Sequence, residues 1–349
     1  MDLDILFGED QEEYDIRSVY RGLRASFDPF RLGDTMFIEK YRLSKTAFRY
    51  VLNEIRPLIQ SKIHCTITPV HKLCIALTVL AKGSYQSSVG TDFVNPMKQN
   101  TVSKVLWEVL PAMERVLCQE WIKFTKNELC KEHFYQKYRI PGVVGSIDGA
   151  HLPILKPGTD EHMFLNRKSY HSLNAMVVCD HNLRIMAFNA RYGGAAHDSF
   201  VYKESPLRTL LYQEFINGDI RSWLLGDSGY PLEPWLLTPY RNAAPGTPEA
   251  RFNEWHSRAR SSVERCIGVL KARWRILLIE KKGRYSPTKS VQISNVCAAL
   301  HNICKFYNVP DPAPIVDRQR RIPIAVQQNE SALKTRAERI RDSIKQSLP

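Results

Sequence analysis

Four acidic residues stand out by where they fall. Asp148 ends Val143-Val144-Gly145-Ser146-Ile147-Asp148, Asp198 lies in His197-Asp198-Ser199, Asp227 follows Leu224-Leu225-Gly226, and Glu264 sits in Ser262-Val263-Glu264-Arg265. Three follow apolar or glycine-rich text of strand character, and the fourth lies in a very basic helical stretch. Clustered carboxylates repel one another unless a hard cation neutralises them. Oxygen-only ligation suits Mg²⁺ or Mn²⁺ rather than zinc. Two such ions about 4 Å apart can activate a water or a sugar hydroxyl and stabilise the leaving oxygen of a phosphodiester. The chemistry suggested is metal-dependent cleavage of nucleic acid.

Each residue also has a plainer reading. Asp198 precedes a helical stretch and could act as its N-cap, Asp227 before Ser228-Gly229-Tyr230 could be a turn residue, and Glu264 could pair with Arg260 or Arg265. Asp180, between two strand-like runs, reads as a turn residue only. Cys297, His301 and Cys304 share one helical face and mimic half a zinc site, but a structural site needs four ligands. Val296, Leu300 and Ile303 on the same stretch make a buried stripe the better reading, with His301 a core histidine.

Composition bounds the partner. The chain of 349 residues carries 49 Lys and Arg against 36 Asp and Glu, a formal net charge of +13, with a pI near 9.3. That excess favours a polyanion, DNA or RNA, over a membrane surface. The acidic start Met-Asp-Leu-Asp is unlike a secretion signal, and no apolar run approaches the ~18 residues of a membrane span, so an intracellular protein without membrane association is expected. Eight cysteines without CxxC pairs read as reduced core thiols.

The elements that must position the acids divide into two textures. Residues 1–35 read as a partly ordered arm. From 36 to 135 the apolar spacing is helical, over 47–59, 70–81, 86–93 and 100–116, with a turn at Asn95-Pro96-Met97. This is either a helix-turn-helix or an ordinary helical bundle. In the first case Thr101, Ser103, Lys104 and Glu108 are exposed while Val102, Val105, Leu106 and Val109 pack inward. From 140 to 308 short apolar runs alternate with glycine: strands over 142–148, 173–180 and 183–189, the last two a hairpin, then a helix from Asp198 to about Tyr212, a strand over 223–226, and helices over 251–278 and 286–307. The order β, β, β, α, β delivers Asp148 and Asp227 at strand ends and leaves Glu264 on a helix. Residues 309–349 read as a basic tail, solvated or partner-bound.

Several ordered strings then fit together. Gly145-Ser146-Ile147-Asp148-Gly149-Ala150-His151, Leu165-Asn166-Arg167-Lys168-Ser169-Tyr170-His171, Ala196-His197-Asp198-Ser199-Phe200, Leu225-Gly226-Asp227-Ser228-Gly229-Tyr230-Pro231 and Ser262-Val263-Glu264-Arg265-Cys266-Ile267-Gly268 resemble the PIF/Harbinger transposases. They are closer still to the Harbinger transposase-derived nucleases of animals, over nearly all of 40–308. The resemblance implies an α/β, RNase H-like core of the DDE superfamily beside the helical, helix-turn-helix-like domain. It implies that Asp148, Asp227 and Glu264 are the catalytic acids, that Asp198 is a further metal ligand, and that Mg²⁺ or Mn²⁺ is the cofactor. DNA is the implied substrate, with a Myb/SANT-like DNA-binding protein as partner and the nucleus, with the cytoplasm, as location. A homo-oligomer is compatible with it. Ala150 departs from the Thr common there, and the turn at Asn95-Pro96-Met97-Lys98 differs from many relatives. Phosphate contacts are expected from Arg167, Lys168, Arg260 and Lys271, alongside Thr101, Ser103 and Lys104, each with a solvated-surface alternative. The rival reading is a DNA-binding adaptor that keeps the fold without catalysis.

Overall fold

The structure, a computed structural model, describes residues 19, 21–60, 67–83, 97–278, 285–313 and 332–348. Helix α1 (Asp34–Tyr41) is followed by α2 (Lys45–Ile59), which Ser44 caps by accepting from the Ala47 N–H. Helix α3 (Pro69–Lys82) starts at a capping box of Thr68 and His71 and stops at Gly83, whose φ of 58° suits glycine. Helix α4 (Gln99–Met113) contains Pro111 and continues through a π-helical turn, Glu114–Cys118, to Trp121. The missing N–H of Pro111 removes one ladder bond just ahead of that wider turn. On α4, Val102, Val105, Leu106 and Val109 are buried and Lys104 and Glu108 exposed, as their spacing predicts, whereas Thr101 and Ser103, expected exposed, are half-buried. The segment 86–93 and the residues Asn95 and Pro96 of the expected turn lie outside the described residues, as do residues 1–18.

Helix α5 (Glu128–Tyr138) leads into the sheet, whose elements are β1 (Val143–Pro153), the short helix α6 (Glu161–Phe164), β2 (Ser172–Cys179), β3 (Ile185–Gly193), α7 (Asp198–Lys203), α8 (Pro206–Ile216), β4 (Trp223–Leu225) and β5 (Leu236–Leu237). The strand order is β3-β2-β1-β4-β5, with β1–β2 and β2–β3 antiparallel and β1–β4 and β4–β5 parallel. The hairpin turn forms as expected: Asp180 Oδ1 accepts from the N–H groups of Asn182 and Arg184, and Leu183 takes φ 63°. Two expectations are corrected. Strand β1 runs five residues past Asp148, which is therefore mid-strand, because Gly149–Pro153 stay paired with β2 along a regular register. The helix expected from Asp198 to Tyr212 is two helices, because Pro206 cannot continue the first and Ser205 caps the second.

Helix α9 (Pro248–Arg273) starts at the Thr247 cap and crosses the sheet; α10 (Pro287–Phe306) starts at the Ser286 cap. One hydrophobic core runs from Phe37 in α1 through α2–α4 to the α9/α10 face of the sheet and Val309, so the helical segment and the sheet share packing. A second core, with Ile147, Met176, Val178, Val201, Tyr202 and Leu211, fills the opposite face under α7 and α8. Residues 309–349 were expected as a basic tail, solvated or partner-bound; Ala332–Ser347 instead forms a helix, α11, docked on the chain itself with Ala337 and Ile344 buried. Tyr240 OH donates to Asp342 and Lys345 pairs with Glu249, and this anchoring explains the difference.

Candidate active site

Strand register brings the first two acids together. Parallel pairing sets Ser146 of β1 beside Leu225 of β4. Two residues on along each chain stand Asp148 and Asp227, and the chain stays in sheet alignment through Gly226, whose N–H reaches Leu237 O at 3.0 Å. With side chains alternating every residue, the two carboxylates share one level and one face. Asp148 is 7% exposed and its Oδ1 accepts from the Gly149 N–H at 2.8 Å. Asp227 is half-buried and opens a turn in which its Oδ1 accepts from the Gly229 N–H at 2.9 Å, so the turn role expected of it is also real.

Helix α9 brings the third. Buried Ser262 donates to Ser146 Oγ at 3.1 Å, seating α9 against β1 beside Asp148. Further along, buried His256 Nε2 donates to Leu237 O at 3.1 Å, fixing α9 on β5; burial lowers its pKa from 6.5 to about 4. Arg260, one turn from each of His256 and Glu264, bridges the acids: Nη1 donates to Asp148 Oδ2 at 3.3 Å and Nη2 to Glu264 Oε1 at 2.6 Å. Burial pulls the guanidinium pKa down, but Asp148, Glu264 and Asp227 together outweigh it and leave it raised. Two carboxylates thus share one cation, and Asp227 acts on it through space.

The remaining residues stand elsewhere. Asp198 is not an N-cap: it is the first residue of α7, and its Oδ1 accepts from Asn174 Nδ2 at 2.8 Å. Asn174 lies three residues from Val177, the partner of Asp148, so it projects from the opposite face of β2. Arg167 and Lys168 are exposed on the turn before β2, where Arg167 Nη2 lies 2.7 Å from His197 Nδ1. Lys271 is half-buried near the end of α9. Arg260 was expected on phosphate; its guanidinium instead lies among the acids because a buried Asp148 needs a counter-charge. His301 is a core histidine, its Nε2 donating to Leu183 O at 2.7 Å, while Cys304 turns away to Arg42 O.

Sequence reasoning missed the groups that hold these elements still. Buried Glu233 accepts from Tyr202 OH and from Arg208, and Trp235 donates to Tyr202 OH, clamping the segment that follows Asp227. Buried Asn302 accepts from Ile185 N–H and donates to Ile185 O and to Trp121 O, acting as a one-residue strand on the β3 edge. The only signal for it was a polar residue inside the apolar Leu300-His301-Asn302-Ile303 run.

The donor chemistry of Asp148, Asp227 and Glu264 fits a hard divalent ion, being all oxygen and anionic. Among the described residues no three His, Cys, Asp or Glu side chains already stand as a metal cage, which agrees with Arg260 sitting among them.

Residues 147–302 match the family of DDE superfamily endonucleases. That places the sheet, α9 and all four acids in a domain of phosphodiester-cleaving ancestry. The chain is 32% identical over 343 residues to "Putative nuclease HARBI1" of Rattus norvegicus, covering 93% of this chain and 94% of that protein. Identity to the Homo sapiens protein of the same name is 31% over 342 residues with the same coverage. "Protein ALP1-like" of Arabidopsis thaliana is 29% identical over 246 residues, 66% of this chain and 59% of that one. No solved structure matches significantly. The chain belongs to the Harbinger-derived DDE nuclease family, whose domain class typically uses divalent metals.

Proposed function

We propose that this chain is a Mg²⁺- or Mn²⁺-dependent DNA endonuclease of Harbinger type, with strand transfer added if it retains transposition. The observation that carries the reading is the placement of Asp148 on β1 and Asp227 just past the end of the parallel neighbour β4, with Glu264 tied to Asp148 through one guanidinium. When bound, the metal supplies activation of the attacking water and stabilisation of the leaving oxygen. Asp148 would hold it from β1, Asp227 from the turn after β4 and Glu264 from α9, whereas Asp198, which the family resemblance adds, stands beside Asn174 on the other face of the sheet. The strand order and the antiparallel-then-parallel pairing support an RNase H-like core. The exposed Lys104 on α4 supports a helix-turn-helix-like role for the helical segment. Arg167, Lys168 and Lys271, in a chain of net charge +13, support DNA as substrate. The family resemblance supports a Myb/SANT-like partner, nuclear location and self-association.

A second reading, a DNA-binding adaptor without catalysis, is favoured by Arg260, whose guanidinium pairs with two of the acids. One experiment separates them. Purified protein and its Asp148→Asn variant are incubated with supercoiled and linear DNA in Mn²⁺, Mg²⁺ or chelator. Metal-dependent nicks or breaks by the parent alone are expected. Cleavage retained by the variant sinks the site assignment, and DNA binding without cleavage by either moves the weight to the adaptor.

A further inference from the structure

We infer that Arg260 is the resident counterion of the acidic site, occupying the carboxylate oxygens before metal arrives and yielding them to it. This rests on the metal-dependent reading above and adds a residue whose role opposes binding rather than assisting it.

The argument starts from desolvation. A carboxylate as buried as Asp148, 7% exposed, is costly unless a positive charge and hydrogen bonds meet it. Gly149 N–H satisfies Oδ1, and Arg260 meets Oδ2. The same guanidinium reaches Glu264 Oε1 at 2.6 Å through its other arm, a fork that only arginine presents. Arg260 itself is largely covered, with 16% of its side chain exposed against 55% for Glu264. It is therefore a fixed part of the site and not a passing surface pair.

A divalent ion held by Asp148 and Glu264 competes with the guanidinium for the charge of both carboxylates, each of which Arg260 engages through one oxygen. Two cations so close repel one another. Entry of metal therefore weakens both ion pairs, so the measured metal affinity is the intrinsic affinity reduced by what those pairs lose. The design keeps the acids close and neutralised in the empty enzyme at the expense of metal affinity. Arg260 is on this argument a positioning residue. A residue that merely shaped the site would, on removal, weaken metal binding; a competing counterion, on removal, strengthens it.

The test is Mn²⁺ binding to the full chain by calorimetry, with the parent, Arg260→Gln, Arg260→Lys and Asp148→Asn, together with melting in chelator and in Mn²⁺. Arg260→Gln is expected to bind Mn²⁺ about tenfold more tightly, the scale of releasing two ion pairs that keep some contact with solvent. It is also expected to melt lower than the parent in chelator and to gain more from Mn²⁺. Arg260→Lys keeps a charge without the fork and should fall between the two, so the proposal stays open to test even where the glutamine variant folds poorly. Mn²⁺ affinity unchanged or weakened in both variants overturns the counterion role while leaving the metal site standing. Binding by the parent that Asp148→Asn does not alter, or no binding at all, overturns the metal reading and this inference with it.

Discussion

Replacing Asn302 by alanine is the sharpest test of how the sheet edge is held. Its side chain makes three hydrogen bonds, each at 2.7 Å: from the Ile185 N–H and to Ile185 O, both buried, and to Trp121 O, part-buried. Alanine leaves one donor and two acceptors without partners at a position 1% exposed, where water cannot easily replace them. Leaving a buried polar group unsatisfied costs about 1–3 kcal/mol, and carbonyls, with two lone pairs, fall at the low end. The expected loss is about 3–5 kcal/mol, a large part of the roughly 5–15 kcal/mol that a folded domain has. Equilibrium unfolding in urea followed by far-UV circular dichroism should show a lower midpoint with an unchanged slope. Asn302→Asp should cost at least as much, since a carboxylate would face two carbonyl oxygens. The proposed metal ligands lie on β1, on the turn after β4 and on α9, none of them on β3, so the folded fraction should keep its Mn²⁺ affinity. A loss below about 1 kcal/mol would refute the claim that this amide stands in for a missing strand.

Two further predictions concern His256 on α9 and Gly193 at the end of β3. Burial beside Arg260 and Arg341 holds His256 neutral, lowering its folded pKa from 6.5 to about 4, so protonation favours the unfolded chain between those values. Stability is full above about pH 6.5, falls by up to ~1.4 kcal/mol per pH unit on acidification, and is lost as pH passes through about 4, about 3 kcal/mol in all. His256→Gln, compared with the parent by urea midpoints at pH 7 and pH 5, should remove most of that dependence; an equal fall in both would exclude His256 as its source. Gly193→Ala would put a Cβ 2.1 Å from Met163 O, a backbone atom that cannot rotate away. It should cost about 2 kcal/mol or more in a thermal melt, and a variant as stable as the parent would show that the α6 loop is free to move.

Strand existence, the hairpin and the long helices were legible because the apolar periods were clean and the caps were chemical. Ser44, Thr68, Thr247 and Ser286 each accept from an N–H three residues on, and each stands just before a periodic run. Asp148 and Asp227 were legible as a pair because both close apolar runs in the sequence, although β1 continues past Asp148. What was not legible depends on partners distant in the chain. Nothing in Arg258-Ala259-Arg260 says which arginine turns inward, since only the sheet supplies the buried carboxylate 112 residues away. Strand β5 is two residues long within a proline-rich connection, too short for periodicity to register. The docking of α11 depends on Tyr240 and Glu249, so its basic composition read as solvated.

Helix α9 shows how much of the site one period carries. His256, Arg260 and Glu264 recur every four residues and form a single stripe, while Ala259, Ser262, Val263, Cys266 and Leu270 form the buried face beside it. The stripe meets β5 through His256 and β1 through Arg260, and ends at Glu264 with its side chain 55% exposed. Anchoring by Leu237 O and Ser146 thus sets where Glu264 lies relative to Asp148. A one-residue shift would rotate the stripe by about 100°, carrying the glutamate off the sheet edge while leaving composition unchanged. The long helix therefore does more than add a third acid: its register against β1 and β5, the strands on either side of β4, brings Glu264 to the guanidinium that Asp148 also engages.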